Sequence, residues 1–335
     1  MQPALYYQAV EGLTVQCQLC PHQCILPPDQ YGRCNTRVNR SGKLYTESYG
    51  ILSAISTDPI EKKPLYHFFP GKSILSIGSF GCNLSCDFCQ NCEISQITPQ
   101  IFSHHPTRDP WDMVGKALLQ RGNIGLAYTY NEPSVFYEYV LRCAALIKEN
   151  GRSNVMVTNG YINKAPLEAL LPYMDAFNVD LKSFREEFYH TRSKAHVQPV
   201  LDTISRIAKS ENHLELTFLI IPGLNDSESE WTDMINWINS YCGDDVILHV
   251  SRYFPHYKLR NPPTPLKTLQ RFIDLAGERI RYLYPGNTPQ LESHTYCPHC
   301  RNLLIQRNLY HSTVVGMDSD GRCAQCQSRI YGVFK

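Results

Sequence analysis

Gly81-Cys82-Asn83-Leu84-Ser85-Cys86-Asp87-Phe88-Cys89-Gln90-Asn91 decides how the rest of this chain is read. It leaves an apolar, strand-like run, Ser73-Ile74-Leu75-Ser76-Ile77-Gly78. The C-x3-C-x2-C spacing gathers three thiolates in one small volume, and thiolates in that number suit an iron–sulfur cluster or zinc. Cys92 is the only local candidate for a fourth ligand, and it follows Cys89 so closely that the loop would have to fold back on itself. A cube held by three protein ligands leaves one iron open for a substrate or cosubstrate. The other reading is a three-cysteine zinc site or a chance grouping, and spacing alone leaves it standing.

The chain has 335 residues, room for two ordinary domains or for one α/β barrel that uses most of them. Hydrophobic residues make up 43% and charged residues 19%, enough apolar material for a substantial core. The formal net charge is +1, so nothing global advertises nucleic acid or an anionic membrane. Met1-Gln2-Pro3-Ala4-Leu5-Tyr6-Tyr7 shows no basic region followed by an apolar core, so no secretory signal is expected. No apolar run nears the roughly 20 residues that span a bilayer, and the expected location is the cytoplasm.

Fourteen cysteines fall into three groups and two singles, Cys143 and Cys242. In a leaderless protein such clustering favours metal over disulfides. Besides the opening motif, Cys17, Cys20, Cys24 and Cys34 sit in a small turn-rich module with C-x2-C-x3-C-x9-C spacing. Four thiolates there can hold a structural zinc or an auxiliary iron–sulfur cluster. In the tail, Cys297-Pro298-His299-Cys300 and Cys323-Ala324-Gln325-Cys326 are two C-x2-C knuckles. Two such turns facing each other make a tetrahedral site, with zinc expected ahead of iron. A module of roughly 40 residues has too little core to fold without such a staple.

Between these modules, apolar runs at 73–78, 125–129, 154–158, 176–180, 214–221 and 246–252 alternate with helical stretches, which argues βα units and a parallel sheet. Asp109-Pro110 is an N-cap followed by proline at the first helical position. Ser134 to Asn150 reads as a helix stopped by Gly151. Further helices are expected near 199–210, 229–241 and from Thr264-Pro265 to about Ile280. The segment Asp58 to Gly71 reads as an ordered connection packed over the barrel mouth. Six units make a partial (β/α)6 barrel of α/β class, flanked by the two cysteine modules. The expected divisions are 1–57, 58–293 and 294–335.

Parallel barrels keep their active sites at the carboxyl ends of the strands. Successive exits here carry Thr129-Tyr130-Asn131-Glu132-Pro133, Thr158-Asn159-Gly160 and Asp180-Leu181-Lys182. The next two carry Ile221-Pro222-Gly223 and Arg252-Tyr253-Phe254-Pro255-His256. Strand alternation sends Asp180 and Lys182 to one side, where they can pair and hold a carboxylate. The last exit brings His256 near the mouth, and His249 reads as a structural histidine.

The opening motif, with an aromatic residue just before its last cysteine, resembles the radical S-adenosylmethionine (SAM) superfamily. Over the whole chain the closer likeness is to the radical SAM component of the AmmeMemoRadiSam system, a relative of pyruvate formate-lyase activating enzymes. It rests on Cys17-Gln18-Leu19-Cys20-Pro21, Asp58-Pro59-Ile60-Glu61-Lys62-Lys63-Pro64, Gly81-Cys82-Asn83 and Thr129-Tyr130-Asn131-Glu132-Pro133. It continues through Asn178-Val179-Asp180-Leu181-Lys182, Ile220-Ile221-Pro222-Gly223, Pro285-Gly286-Asn287 and the terminal knuckles. Cys92 stands where that pattern has a tryptophan, which makes it a poor candidate for an essential ligand.

The resemblance implies a radical SAM type barrel with a [4Fe–4S] cluster on Cys82, Cys86 and Cys89. That cluster reduces SAM to methionine and a 5′-deoxyadenosyl radical, which takes hydrogen from a substrate not legible in the sequence. Phe88, Glu132, Asn159, Asp180, Lys182 and His256 are the expected cofactor-binding residues, and no side chain is assigned a catalytic role. Glu132 matches the Gly-Gly-Glu-Pro element of glycyl-radical activases by place, with Tyr130-Asn131 replacing both glycines. It is expected to accept hydrogen bonds from the ammonium of SAM. Implied partners are an external electron donor, a Memo-like protein and the system's other companion. Two alternatives stand beside this: an activase that makes a glycyl radical on a partner enzyme, and a non-catalytic zinc-binding adaptor.

Overall fold

The computed structural model describes residues 1–335, with the side chain of Glu278 outside the described set. Its centre is an eight-stranded sheet: β1 (Ala54–Pro59), β2 (Ser73–Gly78), β3 (Asn123–Tyr128), β4 (Ser153–Thr158), β5 (Ala176–Asp180), β6 (His213–Ile220), β7 (Ile247–Arg252) and β8 (Tyr282–Gly286). The strands lie in chain order across the sheet. From β2 to β8 every neighbouring pair is parallel, and β1 runs antiparallel to β2. Adjacent parallel strands need a crossover, and here helices supply it. These are α1 (Pro110–Leu119), α2 (Tyr137–Glu149), α3 (Lys164–Leu170), α4 (Gln198–Ala208), α5 (Glu228–Cys242) and α6 (Leu266–Ala276). The result is an open α/β barrel of the radical SAM fold, with β1 and β8 at the sheet's edges.

All six expected strands are present, and two more extend the sheet. β8 reads poorly because Tyr282-Leu283-Tyr284-Pro285-Gly286 ends in two residues that weaken strands. β1 is a polar edge strand, Ala54-Ile55-Ser56-Thr57-Asp58-Pro59, of which the sequence reading put Asp58 and Pro59 in a connection and the rest in the N-terminal unit. Helix punctuation follows the expected chemistry. Asp109 Oδ1 accepts from Trp111 N at 2.8 Å and Asp112 Oδ2 accepts from Asp109 N at 3.2 Å, a reciprocal cap on α1. Ser227 Oγ accepts from Glu230 N at the start of α5.

Two three-stranded antiparallel sheets occupy the first 46 residues, and a third, Thr295–Tyr296, Leu303–Asn308 and His311–Val314, forms the tail. The first region is anchored by a buried ion pair between Arg37 and Glu138 of α2; Glu138 Oε1 also accepts from Leu5 N at 2.8 Å.

The tail is anchored at the barrel floor. Glu215 on β6 is fully buried and accepts four hydrogen bonds: Tyr66 N at 2.9 Å, His67 N at 2.8 Å, His213 Nε2 at 2.9 Å and His249 Nε2 at 2.6 Å. His67 reaches on to Tyr284 Oη at 2.6 Å and the Tyr331 carbonyl at 2.7 Å. Arg307 donates to the Tyr66 carbonyl at 2.7 Å and Thr295 Oγ1 at 2.6 Å. A buried charge needs such complete pairing, and here the pairing ties tail to barrel.

Candidate active site at the strand exits

A cavity of about 360 Å³ opens at the carboxyl ends of the strands. Its lining holds Cys82, Cys86 and Cys89 beside Phe88, Glu132, Thr158, Asn159, Asp180 and Lys182. A larger cavity, about 970 Å³, lies at the opposite, amino-terminal ends and gathers none of these residues.

The cysteine loop is clamped from both sides. Ser85 N and Asp87 N donate to the carbonyls of Ser193 and Arg192 at 3.0 and 3.2 Å, and the Asp87 carboxylate pairs with Arg192 at 2.9 Å. Asn131 Nδ2 donates to the Gly81 carbonyl at 2.9 Å, and its Oδ1 accepts from Ser79 N at 2.8 Å. Asn131, one of the two residues standing where activases have glycine, thus staples the first exit to the second.

Each sulfur has a polar neighbour. Cys82 Sγ accepts from Leu84 N at 3.3 Å and faces Asn159 Nδ2 at 3.6 Å; Cys86 Sγ lies 3.3 Å from Ser193 Oγ, and Cys89 Sγ 3.1 Å from Ser95 Oγ. Burial pushes the free Cys86 thiol up to about 11 even though the Lys182 ammonium pulls the other way. Binding to a metal centre is what ionises such a buried thiol.

A single tetrahedral zinc holds its thiolates about 3.8 Å apart, from a Zn–S distance near 2.3 Å. Among the described residues, only Cys297, Cys300, Cys323 and Cys326 bring three or more ligand atoms within 4.8 Å of one another. Their paired edges, Cys297–Cys326 and Cys300–Cys323, are both 3.5 Å, which fits one ion. Cys82, Cys86 and Cys89 share a cavity wall without forming such a group.

Five of the six residues expected to bind the cofactor, Phe88, Glu132, Asn159, Asp180 and Lys182, line this one cavity. Glu132 is buried; its Oε1 accepts from Ser134 N at 3.0 Å and Thr158 Oγ1 at 2.8 Å, and its Oε2 from Asn159 N at 2.8 Å. A carboxylate has about four acceptor sites, so one on Oε2 is left for a ligand. Burial raises its carboxyl pKa, while those hydrogen bonds pull it down. Asn159, expected to bind the cofactor, donates to Asn83 Oδ1 at 2.9 Å and so braces the cysteine loop. Lys182 Nζ pairs with Asp180 Oδ2 at 2.7 Å, and Phe88 is buried against Phe188.

His256 is not brought to this group. After Arg252, whose Nε donates to the Thr264 carbonyl at 2.7 Å, the chain turns outward. His256 ends exposed, 3.8 Å from Cys92 Sγ and outside the cavity lining. In its place the segment before β2 supplies Lys62, Lys63 and Pro64, held by Asn178 Nδ2 donating to the Pro64 carbonyl at 2.8 Å. Lys63 is buried, pairs with Asp58 at 2.7 Å and lies over the Tyr130 ring at 4.8 Å. Tyr130 Oη donates to the same Asp58 oxygen at 2.6 Å. The motif residues 58–64 carried that signal in sequence; only the antiparallel pairing of β1 shows that they fold inward.

The radical SAM superfamily pattern matches residues 76–238. The chain is 39% identical over 335 residues to the uncharacterized protein MJ0808 of Methanocaldococcus jannaschii, covering 98% of this chain and 99% of that one. Among solved structures, a radical SAM methyltransferase from Sphaerobacter thermophilus superposes with TM-score 0.51 at 14% identity, over 65% of this chain and 67% of that one. SuiB from Streptococcus suis gives TM-score 0.50 at 12% identity, over 67% of this chain and 52% of that one, so the chain spans about half of SuiB. Among the described residues, no helix is long and apolar enough to cross a membrane. The radical SAM match implies a [4Fe–4S] cluster and SAM, and three cysteines on the wall of one cavity are a donor set that fits them. This chain belongs to one family with MJ0808, and its residues 76–238 match the radical SAM superfamily.

Proposed function

We infer that this protein uses Cys82, Cys86 and Cys89 as ligands of a [4Fe–4S] cluster and acts on a substrate held in the same cavity. The observation that supports this most is the meeting of three thiolates with Glu132 and the Asp180–Lys182 pair at the carboxyl mouth of one parallel barrel. When bound, the cluster supplies the electron that splits SAM into methionine and a 5′-deoxyadenosyl radical, which takes a hydrogen atom from the substrate.

The chain's own groups bind, orient and shield. The remaining acceptor site on Glu132 takes a proton donor such as the SAM ammonium. Lys182, tethered by Asp180, is placed for the carboxylate of the methionyl end. Asn159 and Asn131 hold the cysteine loop in register with the second and third strand exits. Phe88, Leu84 and Leu219 keep water from the reacting centre.

The reading extends to an external one-electron donor and to a Memo-like protein and the second companion of the AmmeMemoRadiSam system. The motifs quoted above support that extension. It also takes 1–57, 58–293 and 294–335 as the chain's units, zinc as the ion of the tail and the cytoplasm as its location. The meeting of the triad with Glu132 and the Asp180–Lys182 pair in one cavity counts against a zinc-only adaptor, and an activase would share the same cavity.

The test is anaerobic reconstitution with iron and sulfide, reduction by dithionite and assay of 5′-deoxyadenosine from SAM. The parent is expected to form it and Cys86→Ala to form none. Equal yields from the two, or none from cluster-loaded parent, would overturn the reading.

A further inference from the structure

A cysteine sulfur bound to iron carries no hydrogen, so it can only accept, and a hydroxyl that bonds it must donate. Two cysteines of the motif have such a hydroxyl beside them. Cys89 Sγ lies 3.1 Å from Ser95 Oγ, and Cys86 Sγ lies 3.3 Å from Ser193 Oγ. Both serines are buried, Ser193 completely. A buried hydroxyl needs a partner, and among the described residues the sulfur is the only acceptor each of them has.

Neighbouring groups aim both hydroxyls. Gln96 Nε2 donates to Ser95 Oγ at 3.4 Å and to the Leu84 carbonyl at 3.1 Å, which leaves the Ser95 hydrogen for Cys89. Ser193 ends a π-helical turn, Tyr189–Ser193, closed by Lys194 at φ +57. Such turns are rare and recur at functional sites. Tyr189 Oη of the same turn accepts from Lys182 N at 3.0 Å, so one turn fixes a sulfur's neighbour and the strand exit that carries Lys182.

The cysteine loop does not depend on either hydroxyl for its place. Besides the clamps already described, His22 hydrogen-bonds the Asn83 carbonyl at 2.7 Å, and Asn83 lines one small cavity with Cys17, Cys20, Cys24 and Cys34. A Cβ on Gly81, at φ +88, would lie 2.6 Å from the Cys34 carbonyl, so only glycine lets the loop pack on that module. Removing a serine hydroxyl takes a hydrogen bond from a sulfur and leaves the loop where it is.

We propose that Ser95 and Ser193 donate O–H···S hydrogen bonds to Cys89 and Cys86 and thereby set the reduction potential of the cluster these cysteines hold. The proposal rests on the cluster inferred above, and on no particular substrate. Reduction adds one electron from an external donor and moves no bond or proton. The added negative charge spreads onto the sulfurs, so a hydrogen bond to a sulfur favours the reduced state over the oxidised one and raises the potential. Cys82 is served differently, by the N–H groups of Leu84 and Asn159. Both serines are positioning residues: they touch the cluster's ligands and not the reacting atoms.

The experiment is a mediated redox titration of anaerobically reconstituted full-length protein, without SAM. Electron paramagnetic resonance follows the reduced cluster, and iron and sulfide are counted in each sample. Ser95→Ala and Ser193→Ala are each expected to make one-electron reduction about three- to tenfold less favourable. The double variant should lose about tenfold or more, and tenfold is a midpoint lower by about 59 mV. Ser95→Thr and Ser193→Thr keep the hydroxyl and should stay near the parent.

A midpoint equal to or above the parent's in either alanine variant overturns the assignment for that serine. A threonine variant that falls as far as its alanine counterpart does the same. The midpoint is read from cluster-bearing molecules alone, so partial loss of iron leaves it measurable. A variant that binds no iron shows the hydroxyl assembling the site instead of tuning it, which also overturns the proposal. A parent that forms no reducible cluster refutes the inferred cluster itself, so the two failures are distinguishable.

Discussion

Glu215→Ala tests the structure at the place where barrel and tail are joined. The carboxylate takes hydrogen bonds from two backbone N–H groups and from both His213 and His249, all without exposure to solvent. Removing it leaves four buried donors unpaired, each of which costs about 1–3 kcal/mol when isolated. They share one site and do not add, so the figure for breaking a buried charged network applies: a loss of roughly 3–5 kcal/mol. Glu215→Gln keeps one acceptor oxygen and turns an N–H₂ toward a donor, so about half that loss is expected.

Burial alone would raise this carboxyl, but the hydrogen bonds from His213 and His249 outweigh it and hold its pKa well below the ordinary value. A depressed folded pKa means stability in place above the unfolded value and lost as pH falls through the folded one. The gap between parent and Glu215→Ala should therefore stay constant from about pH 5 to 8 and close only below about pH 4.5. Guanidinium unfolding of metal-loaded protein measures the gap, and limited proteolysis should show earlier cleavage after residue 293 in the variant. A loss below about 1 kcal/mol, or a gap that widens on acidification, would show that this network does not secure the floor.

Three further changes bear on the site and its frame. Asn159→Ala removes the brace on Asn83 and the N–H facing Cys82 Sγ, so SAM cleavage should fall 10–100-fold at unchanged fold, roughly the range of outer-shell changes; full activity would remove Asn159 from the positioning network. Tyr130 sits at φ +72, where a side chain costs about 1–2 kcal/mol, so Tyr130→Gly should unfold later than Tyr130→Ala by about that amount; the reverse order would deny the left-handed backbone. Cys297→Ala/Cys323→Ala should abolish metal binding in the tail and speed proteolysis there while iron content is kept; unchanged zinc would refute the tail site.

The sequence showed most clearly those features that are local. The parallel strands announce themselves as apolar runs, and the cap at Asp109 uses a residue whose side chain reaches its own helix. The cysteine groups show their spacing, and Glu132, Asn159, Asp180 and Lys182 stand at or within four residues past the ends of strands already legible. What stayed hidden depends on where distant segments meet. Residues 58–71 read as a connection packed over the barrel mouth, yet because β1 runs antiparallel to β2 they lie at the floor, with Tyr66 and His67 on Glu215 and Lys63 lining the cavity. His256 looked like a cavity residue because it follows a strand exit, yet the Arg252–Thr264 contact turns the loop away.

Glu215 shows the same division within one strand. Its alternation on β6 places it inward, two positions below Thr217 and four below Leu219, both of which line the cavity. A charged residue inside a barrel strand looks like a catalytic candidate on that ground alone. Its four donors come from the segment before β2, from its own strand and from β7, and together they consume the carboxylate's acceptor capacity. Glu132, also buried and inward at a strand exit, keeps one acceptor site facing the cavity. Two buried glutamates of one barrel are thus told apart by a count of hydrogen bonds: the saturated one holds the fold, and the one with a lone pair left over lines the cavity.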